Sequence, residues 1–205
     1  MELAERSARK HLRRQITDED LRRKLTPGYR AGCKRILISD DYYPALLLPQ
    51  VNLVTDGIRE VTATGITTVE GTHREVDAII LGTGFTPQDP VPRGMITGRG
   101  GRDLWDAWPH GAEAYKGTTV AGFPNLFFLV GPNTGLGHNS MVYMIESQVA
   151  YIMDALRVMD ERGWDAVDVR GDAQRAYNRR LQEDLAGTIW LAGGCHSWYL
   201  NENGR

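Results

Sequence analysis

Hydrophobic residues recur with helical spacing at the N-terminal end of the chain. This spacing predicts two helices, over residues 2–16 and 18–25, which are separated by Thr17. Thr17 and Asp20 form a variant of the capping box, in which side chains three residues apart satisfy the first backbone amides of a helix. We therefore expect Thr17 to start the second helix. The turn residues 26–28, Thr-Pro-Gly, then end it.

Shorter apolar runs in the middle of the chain predict strands. Residues 36–39 and 51–55 are two strand candidates. Residues 58–62 and 65–69 flank the turn dipeptide Thr64-Gly65, a pattern typical of a β-hairpin.

Two further runs are apolar enough to be fully buried strands of a parallel sheet. They are residues 77–81, which lead into a Gly-Thr-Gly-Phe segment, and residues 125–130, which lead into Gly131. Residues 86–117 between them are rich in Gly, Pro and Trp and are interpreted as loop. Together with the helices, these runs predict an α/β fold.

The strongest helical pattern follows the second apolar run. Apolar residues recur here at spacings of three or four and form one stripe along the helix. They are Met141, Ile145, Val149, Ile152, Leu156 and Met159. Asn139 or Ser140 can cap the start of this helix, and Gly163 can end it. A last helix is predicted over residues 172–186, before a Gly-rich tail.

Composition places the chain among ordinary globular proteins. Hydrophobic residues make up 41% and charged residues 24% of the sequence. No apolar run reaches the roughly 18 residues that a membrane span requires. The N-terminal residues lack the apolar core of a secretion signal. Cys33 and Cys195 lie far apart and do not suggest a disulfide framework, so we expect a cytoplasmic protein with free thiols.

The net charge of −2 conceals a basic N-terminal end, since the first 35 residues contain eleven Lys or Arg and five Asp or Glu. Because these cations follow a helical pattern with no interleaved aromatic residues, a solvated helix face is favoured over a nucleic-acid interface. The histidines and cysteines have no zinc-like spacing, so no metal site is predicted. Neither a nucleophile elbow nor a Ser-His-Asp order is present.

The most informative unit for chemistry is the strand, loop and helix over residues 125–160. Its Gly-rich loop lets backbone amides approach a ligand, and the helix start at residues 139–142 favours an anion such as a phosphate or a reduced flavin. The segment Gly135-Leu136-Gly137 with Ser140 is not a full GxGxxG pattern. An ordinary turn of an α/β sheet is the alternative.

Two smaller groups have the same ambiguity. Gly82, Thr83 and Gly84 can pack closely against a cofactor, or they can form a simple turn after a strand. Lys34 and Arg35 stand side by side before a predicted strand and would point to opposite sides of an extended chain. They can therefore serve two ligands, with Arg35 suited to a bidentate anion and Lys34 to a phosphate, or they can be surface charges.

Four segments taken in order resemble the C-terminal half of class B flavoprotein monooxygenases. They are LTPGYRAGCKRILISDDYYPAL, DAIILGTGF, GFPNLFFLVGPNTGLGHNSMVYMIESQ and GGCHSWYL. The GCKR segment resembles the Baeyer–Villiger members, and the likeness covers nearly the whole chain. It implies a partial two-dinucleotide-binding-domain fold. Residues 1–81 would be the end of an NADPH-binding domain with a helical lead-in, residues 82–163 the C-terminal part of an FAD-binding domain, and residues 164–205 a helix and a tryptophan-containing tail.

The resemblance also implies roles for individual residues. Arg35 matches the active-site arginine that lies over the flavin and stabilises the anionic peroxyflavin, and Lys34 matches a contact to the 2′-phosphate of NADPH. Trp198 matches a tryptophan near the nicotinamide ribose, and residues 82–84 match a motif at the junction of the two nucleotide domains. The flavin-lining loop and helix start would comprise Gly131, Pro132, Asn133, Gly137, His138, Asn139, Ser140 and Met141.

The implied reaction inserts one oxygen atom of O2 next to a ketone carbonyl to give an ester or lactone, with FAD and NADPH as cofactors. A monooxygenase acting on nitrogen or sulfur is an alternative, and so is a non-catalytic remnant or subunit. The strand–GxGxxG–helix units typical of the family and its intervening signature segment are not found in this sequence. We therefore expect the chain alone to be inactive, and a separate chain can carry the missing half.

Overall fold

The computed structural model describes residues 2–84, 91–135 and 139–204. These residues divide into two units. The N-terminal unit contains residues 2–32 and 36–84, and the C-terminal unit contains residues 91–135 and 139–204 together with the three residues Cys33–Arg35.

Helices of the N-terminal unit lie where the periodicity predicts them. They are α1 (Glu2–Gln15), α2 (Glu19–Leu25) and a short α3 (Tyr42–Ala45). The predicted cap is wrong by one residue, because Asp18 and not Thr17 starts α2. The Asp18 carboxylate accepts a hydrogen bond of 2.7 Å from the backbone amide of Leu21, the third residue of the helix.

The predicted hairpin is confirmed, and a third strand extends it. Strands β1 (Ile58–Thr62), β2 (Gly65–Thr68) and β3 (His73–Glu75) form an antiparallel sheet in the order β1-β2-β3. A side chain at Gly65 would meet the backbone carbonyl of Arg74 on β3, so only glycine allows this close pairing. The sheet thus accounts for the glycine that follows the turn.

Three predicted strands are not strands in this unit. Residues 36–39, 51–55 and 77–81 have no regular secondary structure. Their apolar side chains are open to solvent, and Ile38 and Ile80 are 97% and 96% exposed. A strand requires a neighbouring strand to pair its backbone groups, and no described strand lies along these runs. The apolar pattern therefore exists here without the sheet that it predicts.

The hydrophobic core of the C-terminal unit lies largely in the segment that the sequence pattern marks as loop. Residues 91–117 contain two short 3₁₀ helices, Arg99–Gly101 and Trp105–Ala107. The buried core consists of Val91, Leu104, Trp108, Ala114, Val120 and Phe123. Apart from these two short helices the segment is largely irregular, as the loop prediction has it, but the prediction did not include the packing of its apolar side chains into a core. Residues 86–90 of the predicted loop lie outside the described residues.

The run 125–130, predicted as a buried parallel strand, is also different. It forms only an isolated antiparallel bridge between Phe127 and Thr119, supported by a hydrogen bond of 2.8 Å from the Phe128 amide to the Thr118 carbonyl. Leu129 is 50% exposed. As in the N-terminal unit, no described strand pairs with the run as a whole.

The two long helices of the C-terminal unit are confirmed. Helix α4 (Met141–Arg162) begins after Ser140 and ends at Gly163, which takes the left-handed conformation with φ 61°. Helix α5 (Gly171–Leu185) matches the predicted last helix, and a short α6 (Ile189–Ala192) follows it. Within α4 only Gln148 is fully buried, and the residues of its apolar stripe are partly buried or exposed.

The cysteines are not free. Cys33 and Cys195 form a disulfide whose Cα atoms are 6.1 Å apart. The expectation of free thiols is wrong. The two cysteines are 162 residues apart in sequence, but the folded tail packs against residues 33–35 and brings them together in space. In the described part of the chain no helix is both long and apolar enough to cross a membrane.

Candidate functional site

A cavity of about 450 Å³ opens in the C-terminal unit. The segment after residue 127, helix α5 and the C-terminal tail enclose it. Its lining is mainly aromatic and aliphatic, with a few polar groups at the edges. The apolar part includes Val91, Trp108, Phe128, Leu129, Leu185, Trp190, Leu191, Trp198 and Tyr199, and the polar part includes His110, Glu113, Asn133, Gln182, Thr188 and Asn201. Such a volume and lining are typical of small-molecule sites.

The loop on one wall of the cavity has an unusual backbone. Val130 and Asn133 both lie in the left-handed region, with φ 54° and 63°. This conformation is costly for a β-branched valine, and such strain persists only where the surrounding structure enforces it. A side chain at Gly131 would lie 2.7 Å from the Cβ of Phe128 and would also collide with the carbonyl of Gly117. The Thr134 hydroxyl closes the turn with a hydrogen bond of 2.7 Å to the Gly131 carbonyl.

Gln148, the one fully buried residue of α4, enforces this loop. Its Oε1 accepts a hydrogen bond of 2.8 Å from the Val130 amide. Its Nε2 donates to the Gly117 carbonyl and to the Thr118 hydroxyl, both at 3.1 Å. One side chain therefore joins the helix to the two backbone segments that meet at Gly131, which explains how the strained valine is held.

Two more buried amide side chains, both on α5, hold the segment that precedes the loop. Gln174 accepts a hydrogen bond of 2.7 Å from the Ala121 amide. Asn178 donates to the Ala114 carbonyl at 3.3 Å. Both side chains are more than nine-tenths buried. Both residues reach this backbone through neutral amide groups, so no charge is buried here.

The start of α4 has the electrostatic character expected of an anion site. The Ser140 hydroxyl accepts a hydrogen bond of 3.3 Å from the Tyr143 amide, which fixes the first turn. The aligned peptide dipoles of this 22-residue helix give its start a partial positive charge. Asn139 and Ser140 are exposed, and Met141 is half-buried. Gly137 and His138, predicted for the same loop, lie outside the described residues.

The C-terminal tail supplies the opposite wall of the cavity. The ring of Tyr199 contacts those of Trp190 and Trp198, with both centroid distances 5.4 Å. Trp198 contacts Tyr199 and is still 44% exposed, so part of this residue remains open to solvent. The structure therefore brings Trp198 to the same cavity as Gly131, Pro132 and Asn133.

Lys34 and Arg35 belong to the same unit but are absent from the cavity lining. Both side chains are exposed. The residue before them, Cys33, is attached to the tail in two ways. It forms the disulfide with Cys195, and its carbonyl accepts a hydrogen bond of 3.0 Å from the Ser197 hydroxyl. Ser197 is the residue before Trp198, so the cations and the tryptophan are attached to one tail segment.

Gly82, Thr83 and Gly84 lie in the N-terminal unit, on exposed chain without regular secondary structure. Gly84 has φ 79°, a left-handed conformation that favours glycine. No turn is assigned at residues 82–84, and the residues that follow lie outside the described part of the chain.

Several residues of the site belong to no recognisable sequence motif. Gln148 interrupts an apolar stripe of α4, and a lone polar residue at such a position is the one available signal. Trp108 and Phe128 lie 6.1 Å apart, and both line the cavity although they are 20 residues apart in sequence. Among the residues that the structure describes, no group of three or more His, Cys, Asp or Glu is placed to hold a metal ion.

Relatives of this chain are found along nearly its whole length. It is 59% identical over 201 residues to a Baeyer–Villiger monooxygenase of Pseudomonas aeruginosa, covering 98% of this chain and 38% of the relative. It is 47% identical over 202 residues to a Baeyer–Villiger monooxygenase of Streptomyces coelicolor, covering 98% of this chain and 39% of the relative. The chain thus spans about two fifths of the length of the curated relatives it matches. No family model matches it.

Solved structures give the same result for the fold. The enzyme OTEMO in complex with FAD and NADP is 27% identical with a TM-score of 0.83, covering 100% of this chain and 39% of that structure. Cyclohexanone monooxygenase bound to ε-caprolactone is 29% identical with a TM-score of 0.78, covering 94% of this chain and 39% of that structure. The chain is therefore a partial α/β piece of this architecture, and the resemblance predicted from the four motifs is confirmed.

Proposed function

Because this chain is homologous over nearly its whole length to part of the Baeyer–Villiger monooxygenases, we propose that it is the C-terminal part of such an enzyme. The sequence order of its GCKR, GTGF, GPNTG and SWYL segments supports this assignment. We assign residues 1–81 to the end of an NADPH-binding domain, residues 82–163 to the C-terminal part of an FAD-binding domain, and residues 164–205 to the C-terminal helix and tail.

FAD and NADPH are the cofactors that we propose for the complete enzyme. Relatives support them, since one solved structure contains both FAD and NADP. The residues of this chain fit such ligands in three respects. The strained loop at Val130–Gly131 presents backbone to the cavity, the start of α4 favours negative charge, and aromatic rings line the opposite wall.

In this proposal the flavin supplies the oxygen chemistry, and the residues of this chain supply orientation and charge. The guanidinium of Arg35 stays protonated at every accessible pH, so it offers a fixed positive charge to an anion that develops during the reaction. The ammonium of Lys34 holds a phosphate as a point charge. Trp198 packs against the ribose side of the nicotinamide nucleotide. The loop from Gly131 to Asn133 and the residues Asn139, Ser140 and Met141 bind the edge of the flavin.

The substrate class that we propose is a small ketone, which O2 converts to an ester or lactone. The homology to Baeyer–Villiger enzymes favours this over oxidation of nitrogen or sulfur, as does the likeness to a structure that holds a lactone. A separate chain, or a longer form of this one, would supply the rest of the enzyme.

The observation that carries this proposal is the 59% identity over 98% of the chain. Its test is assembly with the complementary N-terminal part of the Pseudomonas aeruginosa relative, fused or in trans, followed by assay with NADPH, O2 and cyclohexanone. We expect flavin to be retained and ε-caprolactone to form, whereas the 205-residue chain alone should be isolated without flavin. An assembly that retains FAD and oxidises NADPH but never yields lactone would contradict the proposal.

A further inference from the structure

Two attachments hold the residue directly before the Lys34-Arg35 pair. The side chain of Cys33 is bonded to Cys195, and its carbonyl accepts a hydrogen bond of 3.0 Å from Ser197. Cys33 is 0% exposed and Ser197 is 3% exposed, so the hydrogen bond and the Cys33 end of the disulfide are shielded from water, whereas Cys195 is partly exposed. The three residues Cys33–Arg35 pack with the C-terminal unit although their neighbours on both sides belong to the other unit. These attachments explain that exception.

The tail is shaped around this contact. A side chain at Gly193 would lie 2.7 Å from the Cβ and 2.8 Å from the Sγ of Cys33, so the tail backbone packs directly on the disulfide. The Ser197 hydroxyl also accepts a hydrogen bond of 3.3 Å from the Tyr199 amide. Residues 193–199 therefore form one ordered segment, which we call the tail clamp.

We propose that the tail clamp positions Lys34 and Arg35, with Ser197 as a positioning residue, and that reduction of the Cys33–Cys195 disulfide releases them. Lys34 and Arg35 lie one and two residues after Cys33, each step about 3.8 Å of backbone, so their location follows that of Cys33. An effect of this positioning on catalysis rests on the proposed function, in which Lys34 and Arg35 face the cofactors. The clamp itself does not depend on that function.

The reductant is a dithiol of the kind that keeps cytosolic thiols reduced. Cys195 is partly exposed whereas Cys33 is fully buried, so a reductant thiolate attacks the Sγ of Cys195. The Cys33 sulfur leaves as a thiolate and takes up a proton. The second reductant thiol then displaces Cys195, which gives two protein thiols and one disulfide in the reductant. Hydrogen peroxide reverses the change by oxidising the two thiols to the disulfide and releasing two molecules of water.

Trypsin provides the test, since it cleaves after Lys34 and Arg35 and needs a locally released backbone to do so. The 205-residue chain is compared in three forms: oxidised, reduced and alkylated, and carrying C33S with C195S. We expect cleavage after Lys34 and Arg35 to rise about tenfold or more in the second and third forms, because a covalent link is lost. Cleavage after Arg180, whose side chain on α5 is 84% exposed, is the internal reference for loosening of the whole unit and should change less than about twofold.

Ser197 is tested in the oxidised protein. S197A should raise the same cleavage about fivefold, the ratio expected for one net hydrogen bond. S197T, which keeps the hydroxyl, should return this cleavage to the rate of the unchanged oxidised protein. S147A is the matched control, because the Ser147 hydroxyl donates only to the Tyr143 carbonyl within α4 and is exposed.

Equal cleavage in the oxidised, reduced and double-serine forms would overturn the proposal. So would a parallel rise after Arg180, which would make the disulfide a general staple of the unit. An S197A result equal to that of S147A would remove Ser197 from the clamp. Because the experiment requires neither flavin nor activity, its failure is distinguishable from failure of the monooxygenase proposal.

Discussion

At the scale of the residue, Arg35 carries the main chemical proposal. The homology and the position next to Lys34 support its role as the fixed countercharge at the flavin. The structure adds that the segment is tied to the tail through Cys33. In the proposed role Arg35 acts on charge that develops during the reaction, so its effect is separable from binding of NADPH.

Arg35→Ala in the assembled enzyme should therefore leave flavin reduction by NADPH largely intact while ester formation falls. Loss of a preorganised charge of this kind typically lowers the rate about 100- to 1000-fold. Arg35→Lys should restore little, because a point charge does not reproduce the planar guanidinium. Stopped-flow reduction and product analysis on the same variants measure the two steps. Ester formation at the wild-type rate in Arg35→Ala would remove Arg35 from the mechanism.

Gln148 is the residue whose loss should most affect the cavity loop. Gln148→Ala leaves the Val130 amide and the Gly117 carbonyl without their partner, and an unpaired buried backbone group costs about 1–3 kcal/mol. Gln148→Glu can still accept from Val130, but its carboxylate cannot donate to Gly117 and buries a charge, so we expect a loss of stability at least as large as that of Gln148→Ala.

Urea unfolding followed by tryptophan fluorescence measures this effect. All five tryptophans lie at position 105 or beyond, so the signal reports the C-terminal unit alone. Exposed Gln50, in the N-terminal unit, gives the control variant Gln50→Ala. If the Gln148 and Gln50 variants unfold at the same urea concentration, the amide network does not stabilise the loop.

At the scale of the element, helix α4 is the best-defined part of the site. The cap at Ser140 and the left-handed Gly163 set its two ends. The start matters for the proposed function because the partial positive charge of the helix lies there. Its cap therefore affects both stability and the proposed flavin edge.

Ser140→Ala should lower the free energy of unfolding by about 1 kcal/mol, since the Tyr143 amide loses its partner. Ser147→Ala, in the interior of the same helix, should be neutral or slightly stabilising because alanine is the better helix former. The two variants are compared by urea unfolding and far-ultraviolet circular dichroism. Equal stability of both would show that Ser140 does not act as a cap.

At the scale of the whole molecule, the chief feature is apolar surface that lies open in both units. Leu37, Ile38 and Ile80 are each more than four-fifths exposed, and Leu129 on the other unit is half exposed. Large exposed apolar patches are typical of surfaces that another protein segment covers. The relatives are about 2.6 times longer than this chain, so they contain further sequence that can cover such surfaces.

We therefore expect the 205-residue chain to self-associate on size exclusion. The double change Ile38→Lys and Ile80→Lys should shift the chain towards the monomer, since both side chains lose their apolar contact area. Leu3→Lys is the control, because Leu3 is 80% exposed but lies on the charged helix α1. A sharp monomer peak for the unchanged chain at all concentrations would contradict this prediction.

Local patterns in the sequence were sufficient for the helices and the hairpin. The spacing of apolar residues fixed α1, α4 and α5, because a helix satisfies its backbone within its own segment. The hairpin needed only the residues next to its turn. The motifs that carry the resemblance to Baeyer–Villiger monooxygenases are likewise contiguous segments, and their order along the chain carries most of the functional proposal.

Tertiary structure alone decided the features that depend on distant partners. The apolar pattern of residues 36–39 and 77–81 predicts strands. A strand forms only beside another strand, and none of the described strands lies next to these residues. The core at Leu104 and Trp108 came from a stretch that composition marks as loop. The Cys33–Cys195 disulfide joined residues 162 positions apart, a distance that no local pattern encodes. Helix and turn energetics are local, whereas sheet pairing, core packing and the attachment of the cationic segment to the tail are properties of the folded chain.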